Sequence, residues 1–401
     1  MTDTLSSITQ DNDTVQHSQW LAVVVLALLT FAVVTTEMLP IGLLNPIAST
    51  LDSSTGTAGL LISIPAIIAA LFAPIVVLLF ANINRRTLIL SLVSLLIIAN
   101  LMAALSSTMA WLLISRIIVG FCIGGIWAIA GGLALRLAQP TAVGLATSII
   151  FAGISAASVF GVPIGVFIDN ILGWRALFLM MAVFSFILLV LSFLTIPSLP
   201  SQTSNSIRQF LEAVQNKNIL IGLFITLFLV SGHFMAFTFI RPVLQEIHAL
   251  SDHQIGLALF AYGVLGMCGN FVLGMAAAKN LKYTLWVIII GLIFSTVILT
   301  LTANHQLITS TISLLVWGFS YGGISVALMT WMMVNAPKHI EIASALYISV
   351  FNLAIGLGSF MGGYIVDAYH LTLNMHLATF IIFLTVFLLV LVKLKHKNSD
   401  L

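Results

Sequence analysis

Charge is what this 401-residue sequence has least of: 6 % of its residues are charged and 60 % are hydrophobic. A soluble chain of that length could not cover its surface with so few charges, so lipid is the expected solvent. Cysteine is scarce as well. Cys122 and Cys268 both fall in apolar stretches, which leaves no disulfide framework and no thiolate metal spacing; both read as small core residues. No Gly-x-x-x-x-Gly-Lys-Ser/Thr phosphate loop is present, which excludes ATP-driven transport by this chain alone. Residues 1–19 hold no Lys or Arg, so they do not read as a cleaved secretory signal. The loops are short and leave no room for a soluble catalytic or nucleotide-binding domain. The net charge of +2 forms no single basic face for a nucleic acid polymer.

What is present is a set of long apolar runs. A helix needs about 20 apolar residues to cross a hydrocarbon core of about 30 Å. Twelve stretches qualify, near 20–47, 58–80, 87–106, 110–134, 141–168, 174–196, 218–240, 253–276, 283–302, 306–334, 341–366 and 373–392. Backbone groups have no water partner in lipid, so these spans are expected to be helices.

A motif recurs 198 residues apart. Gly120-Phe121-Cys122-Ile123-Gly124-Gly125-Ile126 returns as Gly318-Phe319-Ser320-Tyr321-Gly322-Gly323-Ile324, and Gly165-x-x-x-Asp169 returns as Gly363-x-x-x-Asp367. Pro140 and Pro337 follow the two copies. An offset near half the chain predicts two equivalent bundles with a cleft between them, the plan of many transporters. The expected organisation is an all-α membrane protein with twelve transmembrane helices in two pseudo-symmetric six-helix bundles. Its parts are a tail (1–19), a first bundle (20–196), a linker (197–217), a second bundle (218–392) and a tail (393–401). Within the linker, the stretch after Ser206 reads as a short amphipathic helix on the inner membrane surface.

Basic residues orient the chain. Arg85, Arg86, Arg136, Arg208, Lys217, Lys279, Lys282, Lys338, Lys393, Lys395 and Lys397 all fall on one side of a twelve-span arrangement, eleven of fourteen. The positive-inside rule then expects both termini in the cytoplasm.

An ionisable side chain inside a span is a functional candidate by default, because it is costly there. Three stand out: Glu37 in span one, Arg116 in span four and His233 in span seven. Counting about 1.5 Å per residue places all three in the outer half of the membrane. If spans one, four and seven line one cavity, Glu37 and Arg116 can pair. A carboxyl group removed from water holds its proton, and an approaching arginine releases it, which would couple proton movement to helix movement. For each residue there is also a structural reading. Glu37 could reach the interface near Pro40, Arg116 could clamp backbone carbonyls, and His233 could be a satisfied interior group or a substrate contact. Asp169 and Asp367, at span ends, read as solvated caps. Trp127 shares a helix face with Arg116, and Trp317, Tyr321 and Trp331 share one on span ten. Such rings can stack on a planar cargo or simply pack.

Nearly the whole chain resembles the major facilitator superfamily, and within it the twelve-span drug:proton antiporter group. Arg116-Ile-Ile-Val-Gly120 resembles that family's fourth-span Arg-x-x-x-Gly motif. Gly153, Gly161, Pro163 and Gly165 resemble its Gly/Pro-rich antiporter motif in span five, and proline favours a bend there. Asn82-Ile83-Asn84-Arg85-Arg86 stands in the place of the cytoplasmic gating loop, without that loop's usual Gly and Asp. Thr36-Glu37-Met38-Leu39-Pro40, Gly125-Ile126-Trp127-Ala128 and Phe237-Thr238-Phe239-Ile240-Arg241-Pro242 resemble bacterial purine ribonucleoside efflux pumps. Sugar and arabinose efflux transporters share part of the pattern. The resemblance implies a monomeric bacterial inner-membrane exporter of small organic molecules. It would run on the proton gradient without a cofactor, with Glu37 as coupling carboxylate and a cargo cavity between spans 1, 4, 7 and 10. A proton-coupled importer of the same fold remains an alternative. An intramembrane aspartyl protease using Asp169 and Asp367 would need Tyr-Asp and Gly-x-Gly-Asp pairs, which the sequence lacks.

Overall fold

The computed structural model describes residues 2–80, 83–139, 142–200, 215–302, 307–336 and 340–391. Its long helices are α1 (Thr2–Met38), α2 (Thr55–Leu79), α3 (Arg85–Ala104), α4 (Met109–Leu137), α5 (Val143–Leu172) and α6 (Trp174–Thr195). They continue as α7 (Lys217–Phe237), α8 (Asp252–Lys279), α9 (Leu281–Leu301), α10 (Leu307–Asn335), α11 (Ile340–Ala368) and α12 (Leu371–Leu391). Among the described residues, twelve helical segments are long and apolar enough to cross a membrane, the first being Trp20–Gly42. The expected amphipathic helix after Ser206, together with Pro140, Pro337, Arg208, Lys338 and the C-terminal lysines, lies outside the described residues. So does Asn82.

Local chemistry sets the helix limits. Ser54 caps α2 by accepting from the Thr57 amide, Asn84 caps α3, Asn216 caps α7, and Ser251 with Gln254 forms a capping box on α8. Gly173 turns the chain between α5 and α6 with φ +78°, a conformation that favours a residue without Cβ.

The first span departs from expectation. One continuous helix to residue 47 is expected, but α1 stops at Met38. A 3-10 turn (Leu39–Gly42) and a short helix (Leu44–Thr50) follow. Pro40 has no amide hydrogen to donate to the Thr36 carbonyl, which favours ending the α-helix here. The seventh span breaks in the matching place. α7 ends at Phe237 and is followed by a short helix (Ile240–Pro242) and a π turn (Val243–Ile247). Both breaks lie at the end of the bundle opposite the termini, here the far end.

The recurring glycines explain the two halves. Gly120 and Gly124 lie against Pro65, Ile68 and Ala69, so α4 packs backbone to backbone on α2. Gly318 and Gly322 lie against Tyr262 and Gly266 and do the same for α10 on α8. A side chain at these positions would overlap the neighbouring helix, which is how small residues permit close approach without a hydrophobic driving force. Two seams then join the halves: α2 against α11, and α5 against α8. Large apolar side chains such as Leu79, Phe186, Phe271 and Phe387 cover the outside, as a lipid-facing surface requires.

Candidate functional site

The ends of α1 and α7 carry the site. Glu37 occupies the last turn of α1, and His233 the last turn of α7. Both are buried. The final carbonyls of a helix lack intrahelical partners, and here other helices supply them. Arg116 Nη1 of α4 donates to the Thr36 carbonyl at 3.0 Å, with its guanidinium 4.7 Å over the Phe178 ring. In the second half the Asn374 amide of α12 donates to the Met235 carbonyl at 2.8 Å.

The expected ion pair between Glu37 and Arg116 is not made. Arg116 spends one nitrogen on Thr36, its Nε and Nη2 have no hydrogen-bond partner, and neither has Glu37 Oε1. The unwound turn at Pro40 leaves an orphan carbonyl close to Arg116, and the guanidinium takes it. Arg116 is therefore a clamp on the α1 terminus beside Glu37, and Asn100 of α3 reaches the same turn through Thr36 Oγ1 at 3.4 Å.

Across from Glu37 lies an aromatic wall from the second half. Tyr321 of α10 is within electrostatic reach of the Glu37 carboxyl group. The Tyr321 ring stacks on His233 with centroids 3.8 Å apart and planes 11° apart. Phe237 lies near-parallel to His233 at 5.2 Å, and Tyr262 of α8 stacks on Phe237 at 4.6 Å. Trp317 Nε1 donates to His233 Nδ1 at 2.9 Å. The hydroxyls of Tyr262 and Tyr347 lie within electrostatic reach of Tyr321. Glu37, His233, Trp317 and Tyr321 are thus brought together, and Tyr262 and Tyr347 join them without having been singled out in the sequence. A tyrosine within an apolar span, as in spans eight and eleven, was the available signal.

Other candidates lie elsewhere. Trp331 is 14 residues beyond Trp317, about 21 Å along α10; it is fully buried and donates to the Asn218 carbonyl at 2.8 Å. It anchors the start of α7 and does not line the cluster. Trp127 is half-buried against Phe151. Gly153 packs α5 onto Ala27 and Thr30 of α1, Gly161 faces Thr35, and Gly165 faces Leu39. Pro163 lies inside a continuous α5. Arg85 and Arg86 bond to carbonyls of their own half, Phe80 at 3.1 Å and Phe193 at 2.6 Å. They tie the α2–α3 turn to the end of α6, and among the described residues these bonds stay within the first half.

The far end holds polar contacts between the halves. Arg241, buried in the α7–α8 connection, donates to the Gly42 carbonyl, to Asp169 at 3.3 Å and to Asp252 at 3.0 Å. Gln245 donates to Asp252 at 2.8 Å, and Asn45 to Gln245 at 2.6 Å. On the other seam Asp367 accepts from Ser54 Oγ at 2.5 Å and from the Gly56 amide at 2.8 Å. The two aspartates expected as solvated caps are therefore cross-half ties. An open cavity of about 510 Å³ lies beside the second tie, lined by Thr55, Glu246 and His370 among others, and apart from the aromatic cluster.

Two six-helix halves joined along two seams, with a buried carboxylate and an aromatic cluster at the centre, are the architecture of a membrane transporter. The Major Facilitator Superfamily model matches residues 26–358, and the chain belongs to that superfamily. It is 28 % identical over 387 residues to the purine ribonucleoside efflux pumps NepI of Escherichia coli K12 and of Shigella sonnei, covering 96 % of this chain and 97 % of each pump. The fold is similar to that of a mutant of the nucleoside transporter NupG, with TM-score 0.76, 15 % identity, and 93 % and 99 % of the two chains covered. It is also similar to a bacterial homologue of the human lysosomal transporter Spinster, with TM-score 0.73, 17 % identity, and 93 % and 95 % covered.

Proposed function

We propose that this protein is a proton-coupled exporter of nucleoside-like small organic molecules, acting by alternating access in a bacterial inner membrane. The observation that carries the reading is Glu37, a buried carboxyl group with an unpartnered oxygen, at the end of α1 where the halves meet. A carboxylate is costly there without a partner, so its charge state follows which side of the membrane it meets. Protonated from outside, Glu37 tolerates the closed centre; opened to the cytoplasm, it loses the proton, and cargo enters beside the aromatic wall. Both termini are cytoplasmic in this reading, because Arg85, Arg86, Arg136, Lys217, Lys279 and Lys282 lie at helix ends away from the far end. The far end is then periplasmic. A monomer with the proton gradient as energy source and no cofactor suffices. The efflux pumps among its relatives support the export direction and a purine ribonucleoside as the first cargo to try.

Inverted membrane vesicles acidified inside test this. Labelled purine ribonucleoside should accumulate with the wild type. Glu37→Gln should fall to the level of vesicles without a gradient while still equilibrating cargo downhill. Full gradient-driven accumulation by Glu37→Gln would overturn the coupling role, and accumulation only with the opposite gradient would mean import.

A further inference from the structure

Among the buried polar atoms at the centre that have no hydrogen-bond partner are Glu37 Oε1, the Tyr262 hydroxyl and His233 Nε2. The chemical identity of the last is fixed by its surroundings. An indole N–H can only donate, and that of Trp317 points at His233 Nδ1. Nδ1 therefore holds the lone pair, and the neutral ring carries its proton on Nε2. An imidazolium would set N–H against N–H and break this bond.

The ring is also held in place. Tyr321 covers it in parallel at 3.8 Å, and the edges of Phe234 and Trp317 close on it at 4.9 and 5.8 Å. The titratable groups around it are Tyr321, Tyr262 one ring further through Phe237, and Glu37 beyond Tyr321. Among the described residues no carboxylate bonds to or pairs with the imidazole to favour a cation. A buried donor without an acceptor is costly, and an acceptor on a ligand removes that cost.

We propose that His233 is a specificity-determining hydrogen-bond donor for a planar cargo that carries an acceptor, such as a ring nitrogen or ring carbonyl of a purine base. It does not carry the transported proton. This rests on the reading of the centre as the cargo site, and it divides the work: Glu37 exchanges protons, and His233, oriented by Trp317, reads the cargo. A site built to donate discriminates against analogues that lack the acceptor.

Two measurements test it. In transport, purine ribonucleosides with ring nitrogens replaced one at a time by C–H should include at least one that the wild type binds about fivefold or more weakly. His233→Leu should weaken the parent nucleoside by a similar factor and lose that discrimination. His233→Gln, which keeps an N–H and cannot be protonated, should keep the wild-type proton-to-cargo ratio even where its affinity for the cargo falls. Loss of gradient-driven transport by His233→Gln with normal downhill exchange would overturn the proposal, as would a wild type indifferent to every replacement. In the purified protein, the emission of Trp317, isolated by difference from Trp317→Phe, should stay flat from about pH 5 to 8, the range in which an unperturbed histidine titrates. A titration that disappears in His233→Gln would overturn it too. If the wild type carries no nucleoside at all, the nucleoside reading fails, and the emission titration still decides whether His233 takes a proton.

Discussion

Removing Arg241 should open the far end. Its side chain is 3 % exposed and Asp169's is 8 %, while Asp252's is 41 % exposed. The Asp252 contact is solvent-screened, worth about 0–1 kcal/mol. The Asp169 contact is buried, and stripping one partner from a buried pair costs about 3–5 kcal/mol because the other charge is left uncompensated. In Arg241→Ala the loss falls on the conformation with the far end closed, since water solvates the same groups once the halves part. Taking the lower figure, about 3 kcal/mol shifts the closed-to-open ratio by about 150-fold. Spin labels at Ser49→Cys and Tyr369→Cys, both exposed at the far end on opposite halves, would read the separation after Cys122 and Cys268 are changed to serine. Arg241→Ala should populate longer distances. Asp252→Asn added to it should return part of the short-distance population, because Asp169 then no longer faces a second carboxylate. An unchanged distance distribution in a folded, monodisperse Arg241→Ala protein would refute the reasoning.

Gly56→Ala should cost about 1–3 kcal/mol in thermal stability and also open the far end, because its methyl would overlap the Gly363 carbonyl and the Asp367 carboxylate. Gly161→Ala should be nearly neutral in the same melting assay, since its methyl would meet Thr35 at an ordinary 3.6 Å. His248, between α7 and α8, bonds the Leu299 carbonyl at 3.0 Å and Ser310 at 3.0 Å. Burial pushes its affinity for a proton below the ordinary histidine value, with the Leu299 bond opposing. The unfolded chain then binds the proton more readily, so His248's contribution to stability is complete above about pH 6.5 and lost as pH falls through the folded value. The melting temperature of solubilised protein should therefore drop on acidification, and His248→Gln should flatten that drop; equal slopes would exclude it.

Much of the architecture was legible because it depends on long-range averages. Twelve apolar runs and a 198-residue echo need only composition and spacing, and the structure places Gly120 and Gly124 at the same kind of helix crossing as Gly318 and Gly322. The site was legible in its members more than in its bonds. Glu37, His233, Trp317 and Tyr321 were picked out as buried polar or aromatic groups, and they do meet. Their pairing was not, because it turns on local backbone. α1 ends at Met38, two residues before Pro40, whose missing amide frees the Thr36 carbonyl that Arg116 takes in place of Glu37. Asp169 and Asp367 looked like solvated caps because a span end gives no hint of what the other half brings to it. The echo itself was the clue: both aspartates stand at one repeat position, which the repeat assigns to equivalent seams.

Those seams are alike in place and unlike in chemistry. Asp367 is held by a hydroxyl and an amide, whereas Asp169 needs a guanidinium shared with the half-exposed Asp252. Asp169 thus depends on one side chain, Arg241, and Asp367 on two separate donors. Loss of Arg241 would loosen the α5–α8 flank first, so the halves would swing apart like a door hung on its α2–α11 side.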